Sequence, residues 1–414
     1  MMMIEIGRRA KVAARAMAGA SSAVKDEALA GIARALEEAA DAILDANTAD
    51  LERGESEGLS RALLDRLTLT PERISQIAGA VRDVIALPDP VGEVIGGTRR
   101  PNGLDIVEVR VPLGVVAMIY EARPNVTVDA AALCIKSGNA CILRGSRTAI
   151  ESNKALARLI RHAIVEAGLP EDAVQLVEDT SHESVAELMR MRGYVDVLIP
   201  RGGADLIRNV VEGASVPVIE TGVGNCHVYV DASADVSKAI PIVINAKTHR
   251  PSVCNAAESV LVHRAVADDV MPKLLAELAA RGVEVRGDDA TRAYSDVVVA
   301  ATDDDYRAEF LDLTISVKVV GSLDEAIEHI NAYGTLHTEA IVTEDYGAAQ
   351  RFAAEVDAAC VMINASTRFA DGGEFGLGAE IGISTQKLHA RGPFALEALT
   401  TSKYVVRGSG QVRE

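Results

Sequence analysis

The stretch VPLGVVAMIYEARPNVTVDAAALCIKSGNACILRGS, residues 111–146, decides the fold class. GVVAMI is a continuous apolar run of the kind that forms a strand buried on both faces. A helix is expected over about 126–136, and ACILR reads as the next buried strand. The same alternation continues through a long helix (149–167), AVQLV, a helix (181–192), VDVLIP, a helix from Gly203, VPVIE and HVYVD. Strands alternating with helices predict right-handed βαβ units in a parallel sheet, hence an α/β fold. A second set follows Asp231. Its expected strands are ESVLVH, VEVRG, DVVVA, ISVKVV, EAIVT and ACVMIN, with helices near 265–281, 323–332 and 345–355.

Upstream, residues 4 to about 85 read as helices, with Leu29, Ile32, Leu36 and Ile43 at helical spacing. Thr70-Pro71-Glu72 predicts a helix start, with Thr as cap and Pro in the first turn. That helix should end before Leu87-Pro88. DIVEVRVP, residues 105–112, alternates as a half-exposed strand. The tail TSKYVVRGSGQVRE has a short strand and no core of its own, so it is expected to pair elsewhere, with another subunit as one option.

A chain of 414 residues exceeds one ordinary core, so two large domains are expected. Its 49% hydrophobic and 25% charged residues are those of a globular protein. The net charge of −18 argues against nucleic acid or an anionic membrane as partner, though not against a small anionic substrate. No run approaches a membrane span, and the N-terminus has no signal-peptide pattern, so the expected location is the cytoplasm. Five cysteines, an odd number, suit a reducing compartment. Neither a Walker A sequence, a metal-ligand spacing nor GxGxxG is present, and metal-free chemistry is expected.

Five places carry polar chemistry. NAKTHRPSVCNAAE, residues 245–258, sets Cys254 after Lys247, Thr248, His249 and Arg250. Positive charge favours a thiolate, although a free cysteine is as readily a small buried hydrophobe. Tyr120-Glu-Ala-Arg-Pro-Asn125 follows a buried strand, where open parallel sheets bind ligands; Asn125 also suits a helix N-cap. Leu143-Arg144-Gly145-Ser146-Arg147 pairs two arginines with small residues ahead of a helix, a pattern that suits phosphate. Glu220-Thr-Gly-Val-Gly-Asn225 and Phe375-Gly-Leu-Gly-Ala-Glu380 are glycine-rich segments of the kind that approach a ligand closely.

Taken in order, these segments resemble an aldehyde dehydrogenase. VPLGVVAMIYEARPNVTVDAAALCIKSGNACILRGS resembles the first half of that superfamily's cofactor domain, and VIETGVGNCHVYVD its glutamate-glycine loop. THRPSVCNAAE stands at the nucleophile position. VGSLDEAIEHINAYGTLHTEAIVTED (with Ala326, His329, Gly334, His337, Thr338 and Glu339) and RFADGGEFGLGAEIGISTQKLHARGPFALEALTTSKYVVRG are similar to the branch that reduces an acyl phosphate.

The resemblance implies two Rossmann-like parallel-sheet domains and a small β oligomerisation arm. Residues 1–98 and 112–230 would bind NADP, 231–390 would carry Cys254, and 99–111 with 391–414 would form the arm. It implies Cys254 as nucleophile, with Asn125 and the Cys254 N–H as oxyanion hole. Arg144, Gly145, Ser146, Arg201, Gly202, Gly203, Glu220, Gly222, Glu309 and Phe310 would contact NADPH, Arg144 gripping the 2′-phosphate. Glu220 matches the water-activating base of oxidising relatives, a role that a reductase must avoid. Arg123, His249, Arg250 and His337 would contact substrate. The implied reaction is reduction of L-glutamyl 5-phosphate to L-glutamate 5-semialdehyde, the second step of proline synthesis, by a homo-oligomer. A separate glutamate 5-kinase is the expected partner.

Overall fold

The computed structural model describes residues 2–413; Met1 and Glu414, which close the expected first domain and arm, lie outside the described residues. The chain forms two compact units. The first holds the chain up to Thr221, Gly376–Gly382 and the segment from Phe394 on; the second holds Gly222–Phe375 and Ile383–Pro393.

The first unit opens with helices Met2–Met17, Ser22–Glu38, Ala40–Ser56, Arg61–Leu67 and Pro71–Ala86. Thr70 caps the last, its hydroxyl accepting from the Arg73 N–H at 3.2 Å, and Pro71 fills the first turn as expected. Four parallel strands follow, in the order Val174–Leu176, Ala140–Gly145, Val115–Tyr120, Val197–Arg201. All residues of the two central strands are buried, which is why they read as largely apolar runs. VPVIE is not a strand. Pro217 has no N–H to give a ladder, and the segment makes one bridge, Leu198 to Val218.

A three-stranded antiparallel sheet of Val94–Arg99, Asp105–Pro112 and Thr400–Arg407 completes this unit. The C-terminal strand therefore pairs with its own chain, Thr400 opposite Pro112 through Arg407 opposite Asp105. Pairing with another subunit is not needed to order it. Val94, Ile95, Tyr404 and Val406 stay exposed on this sheet.

The second unit is a seven-stranded parallel sheet. Its order is Val299–Ala300, Glu284–Gly287, Thr314–Val320, Ala257–His263, Cys226–Val230, Thr338–Val342, Cys360–Ile363. The strand read as HVYVD lies here, between Ala257–His263 and Thr338–Val342, so the break between units falls at Thr221/Gly222 and not after Val230. Helices Ala267–Ala280, Leu323–Tyr333 and Tyr346–Glu355 match expectation. The helix Val236–Thr248 was not anticipated: Pro241 sits inside it, and its β-branched residues mask the helical pattern. No described helix is long and apolar enough to cross a membrane.

Candidate active site

Cys254 lies in the turns joining the helix Val236–Thr248 to the strand Ala257–His263, so it has no helix N-terminus behind it. It is partly exposed, and the flanking His249 and Arg250 are exposed. The loop is clamped at its base. Lys247 Nζ donates to Glu258 Oε2 at 2.5 Å with both side chains wholly buried. Glu258 Oε1 accepts the Leu311 N–H at 3.1 Å, holding a residue whose φ is +53°. Burial pushes the Glu258 carboxyl up to about 7 against the pull of Lys247, and burial likewise lowers the Lys247 ammonium.

The glutamate-glycine segment touches this loop. A Cβ on Gly224 would stand 1.5 Å from the Cys254 carbonyl oxygen, so only glycine permits the approach. The Gly224 N–H donates to Glu309 Oε1 at 2.7 Å, and the buried Cys226 thiol donates to the Cys254 carbonyl at 3.2 Å. Burial raises the Glu309 carboxyl, with the Gly224 N–H opposing the rise. Phe310 lies under the Arg286 guanidinium, 5.3 Å from Cζ to ring centroid.

His337 differs from expectation. Its side chain is fully buried, with Nδ1 2.9 Å from Thr338 Oγ1 and 3.7 Å from Cys226 Sγ. Its ring lies against Cys226 and is closed to solvent. The neighbouring signature residues are equally internal: His227 Nδ1 lies 3.0 Å from Glu339 Oε2, which also accepts the His227 N–H at 2.7 Å. Burial lowers His329 to about 3, so it packs against His227 and Tyr306 as a neutral ring.

Arg368 is a residue the sequence reading did not single out. It sits in the turn Thr367–Phe369, half-buried, with Nε donating to His249 Nδ1 at 3.3 Å. Thr367 Oγ1 donates to the Asn255 carbonyl at 2.7 Å, and Asn255 Nδ2 to the Ala370 carbonyl at 2.9 Å. The paired Asp and Gly residues of RFADGG mark a turn, but nothing local in that sequence says which loop it meets.

In the first unit the remaining candidates collect at the carboxyl ends of the parallel strands, where Tyr120 is in register with both Gly145 and Arg201. Asn125 is the first residue of the helix Asn125–Lys136, whose N-cap is Pro124, so the cap reading does not hold. Its Nδ2 donates to Asp129 Oδ2 at 2.9 Å. Burial lifts Asp129 to about 6, offset by Asn125 and by the Arg201 charge. Arg123 and Glu220 are half-buried in this unit. Gly203 precedes the helix Ala204–Gly213 and has no side-chain cap. Its N–H donates to Glu121 Oε2 at 2.9 Å, which shows an anion held at that helix start. A Cβ on Gly202 would meet the same carboxylate at 2.7 Å.

Two buried polar atoms at the end of the strand Ala140–Gly145, Ser146 Oγ and Asn153 Nδ2, have no protein partner. Orphaned donors beside an anion-accepting helix start fit a dinucleotide cofactor in kind. Arg144 does not fit its expected part. Its Nη2 donates to the carbonyls of Thr180 and Ser181 at 2.7 and 2.8 Å, and Nε reaches Ser184 Oγ at 3.4 Å. The guanidinium braces that loop, so its fork is not turned to a 2′-phosphate.

The sequence profile of the aldehyde dehydrogenase family matches residues 3–295. A gamma-glutamyl phosphate reductase of Moorella thermoacetica is 60% identical over 408 residues, covering 99% of this chain and 98% of that protein. One from Halothermothrix orenii is 58% identical over 407 residues, covering 98% and 97%. The crystal structure of gamma-glutamyl phosphate reductase from Thermotoga maritima superposes with a TM-score of 0.97 at 50% identity, covering 99% of each chain. An acetylating aldehyde dehydrogenase from Geobacillus thermoglucosidasius, 18% identical, shares the fold with a TM-score of 0.70 over 99% of this chain and 97% of that one. The chain belongs to the aldehyde dehydrogenase family, in its gamma-glutamyl phosphate reductase branch.

Proposed function

We propose that the chain reduces L-glutamyl 5-phosphate to L-glutamate 5-semialdehyde with NADPH, the second step of proline synthesis, through a thioester on Cys254. The observation that carries this reading is the nucleophile loop. It presents a partly exposed thiol beside exposed His249 and Arg250, clamped from beneath by Lys247 and Glu258. The Cys254 thiolate forms a C–S bond to the acyl carbon while the C–O bond to phosphate breaks, and phosphate departs as the anion. The Cys254 N–H stabilises the oxyanion of each tetrahedral adduct. When bound, the reduced nicotinamide supplies hydride. Collapse of the reduced adduct breaks the C–S bond, releases the aldehyde and returns the thiolate.

Glu309, whose Oε1 accepts the Gly224 N–H, would hold the cofactor ribose. Ser146, whose buried hydroxyl lacks a protein partner, is the candidate for the pyrophosphate, with Gly145, Gly202, Gly203 and Glu220 as further cofactor contacts in the first unit. NADPH preference is assigned to Arg147, at the same strand end as Arg144 and exposed, with Nη2 on Glu57 at 2.7 Å. Arg123 and Arg250 are the candidates for the α-carboxylate. The exposed apolar residues of the antiparallel sheet support a homo-oligomer joined through that arm. A cytoplasmic location and a separate glutamate 5-kinase supplying the labile acyl phosphate complete the proposal.

The test is the reverse reaction on purified protein. NADP⁺ reduction with the semialdehyde should require phosphate, run faster with NADP⁺ than NAD⁺, and vanish in Cys254→Ser. Equal activity without phosphate would sink the reading in favour of a hydrolytic dehydrogenase.

A further inference from the structure

We propose that Arg368 binds the phosphate of the acyl phosphate substrate, together with the Nε2–H edge of His249. The inference rests on the reaction proposed above and assigns its leaving-group site. The turn carrying Arg368 is far from Cys254 in sequence yet is fastened to the nucleophile loop on both sides. Upstream of Cys254, Arg368 Nε donates to His249 Nδ1 at 3.3 Å. Downstream, Thr367 and Ala370 exchange hydrogen bonds with Asn255, the residue after the nucleophile, at 2.7 and 2.9 Å. The turn that carries the guanidinium is thus tied to both sides of the loop that holds the attacking sulfur.

Two consequences follow for the chemistry. An Nδ1 that accepts from Arg368 leaves the proton of neutral His249 on Nε2, so the exposed imidazole edge is a donor. Arg368, with Nε spent on His249, keeps its terminal nitrogens for the planar, two-pronged contact that suits phosphate. The charge of Arg368 is felt by Cys254 and by Arg250, and Asp371 is the acid that faces it; burial lowers the guanidinium. Asp371 is itself occupied by the N–H groups of Gly373 and Glu374. Three cationic or donor side chains therefore meet at one loop of a chain whose net charge is −18.

Phosphate fits this place better than the α-carboxylate does. In an acyl phosphate the attacked carbon is one bridging oxygen from phosphorus, whereas the α-carboxylate lies beyond a three-carbon chain. A donor on the nucleophile's own loop, His249, and one fastened to it, Arg368, suit the nearer group.

The experiment is the phosphate dependence of NADP⁺ reduction in Arg368→Ala, Arg368→Lys and Arg368→Gln, with semialdehyde and NADP⁺ titrated separately. Arg368→Ala should raise the KM for phosphate about 10- to 100-fold, with the other two KM values within about threefold of wild type. Arg368→Lys should recover part of the loss through charge alone. Arg368→Gln, which keeps a donor toward His249 without charge, should not recover it, and it tests the site if the alanine variant fails to fold. An unchanged phosphate KM in a folded variant overturns the proposal, and so does a shift confined to the semialdehyde, which would place the α-carboxylate there. Wild-type activity independent of phosphate would instead overturn the reaction itself.

Discussion

Lys247 and Glu258 bracket the Cys254 loop, and replacing Lys247 with Met isolates what their contact does. Both side chains are fully buried, and the ammonium supplies one of the two contacts of the Glu258 carboxylate; the Leu311 N–H supplies the other. Removing one member of a buried pair costs roughly 3–5 kcal/mol, because the survivor keeps its desolvation penalty. That is a large part of the roughly 5–15 kcal/mol that holds a domain folded. Glu258 can escape by binding a proton. Its folded carboxyl, pushed up to about 7 by burial, loses the lysine that was pulling it down, so it rises further in the variant. A carboxyl raised on folding binds more protons folded than unfolded. Stability therefore falls as pH rises from the ordinary 4.5 through the raised value, at up to about 1.4 kcal/mol per unit. Urea unfolding followed by circular dichroism at pH 6 and pH 8 should show a penalty for Lys247→Met that is larger at pH 8. The double variant Lys247→Met with Glu258→Gln, which has no charge to bury, should be more stable than the single one at pH 8. A penalty below about 1 kcal/mol at pH 8, or a double variant no better than the single, would refute the reasoning.

Gly224→Ala places a methyl against the Cys254 carbonyl oxygen, and backbone must move to admit it. A displacement of that order should lower kcat about 100-fold with the circular dichroism spectrum retained. Burial keeps the Cys226 thiol protonated, as a donor to the Cys254 carbonyl. Cys226→Ser should keep most of the activity, while Cys226→Ala should lose about fivefold in kcat, the worth of one ordinary hydrogen bond; equal rates for the two variants would assign Cys226 to packing alone. Arg144→Ala frees the carbonyls of Thr180 and Ser181, so the KM values for NADPH and NADH should rise by a similar factor. A selective rise for NADPH would return Arg144 to the 2′-phosphate.

The sequence by itself determined the class of fold and the family. Apolar runs such as GVVAMI and ACILRG announce strands because both faces of a parallel sheet are buried, and that pattern is written locally. Thr70-Pro71 announced a helix start for the same local reason. The resemblance of the whole chain then marked Cys254 among five cysteines. What local pattern could not give was partnership between distant segments. VPVIE looks like a strand, but Pro217 has no N–H to extend the ladder beyond one bridge, and the helix Val236–Thr248 hides behind Pro241. His337 and Arg144 have the chemistry of ligand contacts, yet burial and backbone carbonyls claim them. Arg368 looked like an ordinary turn residue until the fold tied its segment to His249 and Asn255. A side chain's type is fixed by sequence, but its charge state, exposure and partner depend on groups that only folding brings within a few ångströms.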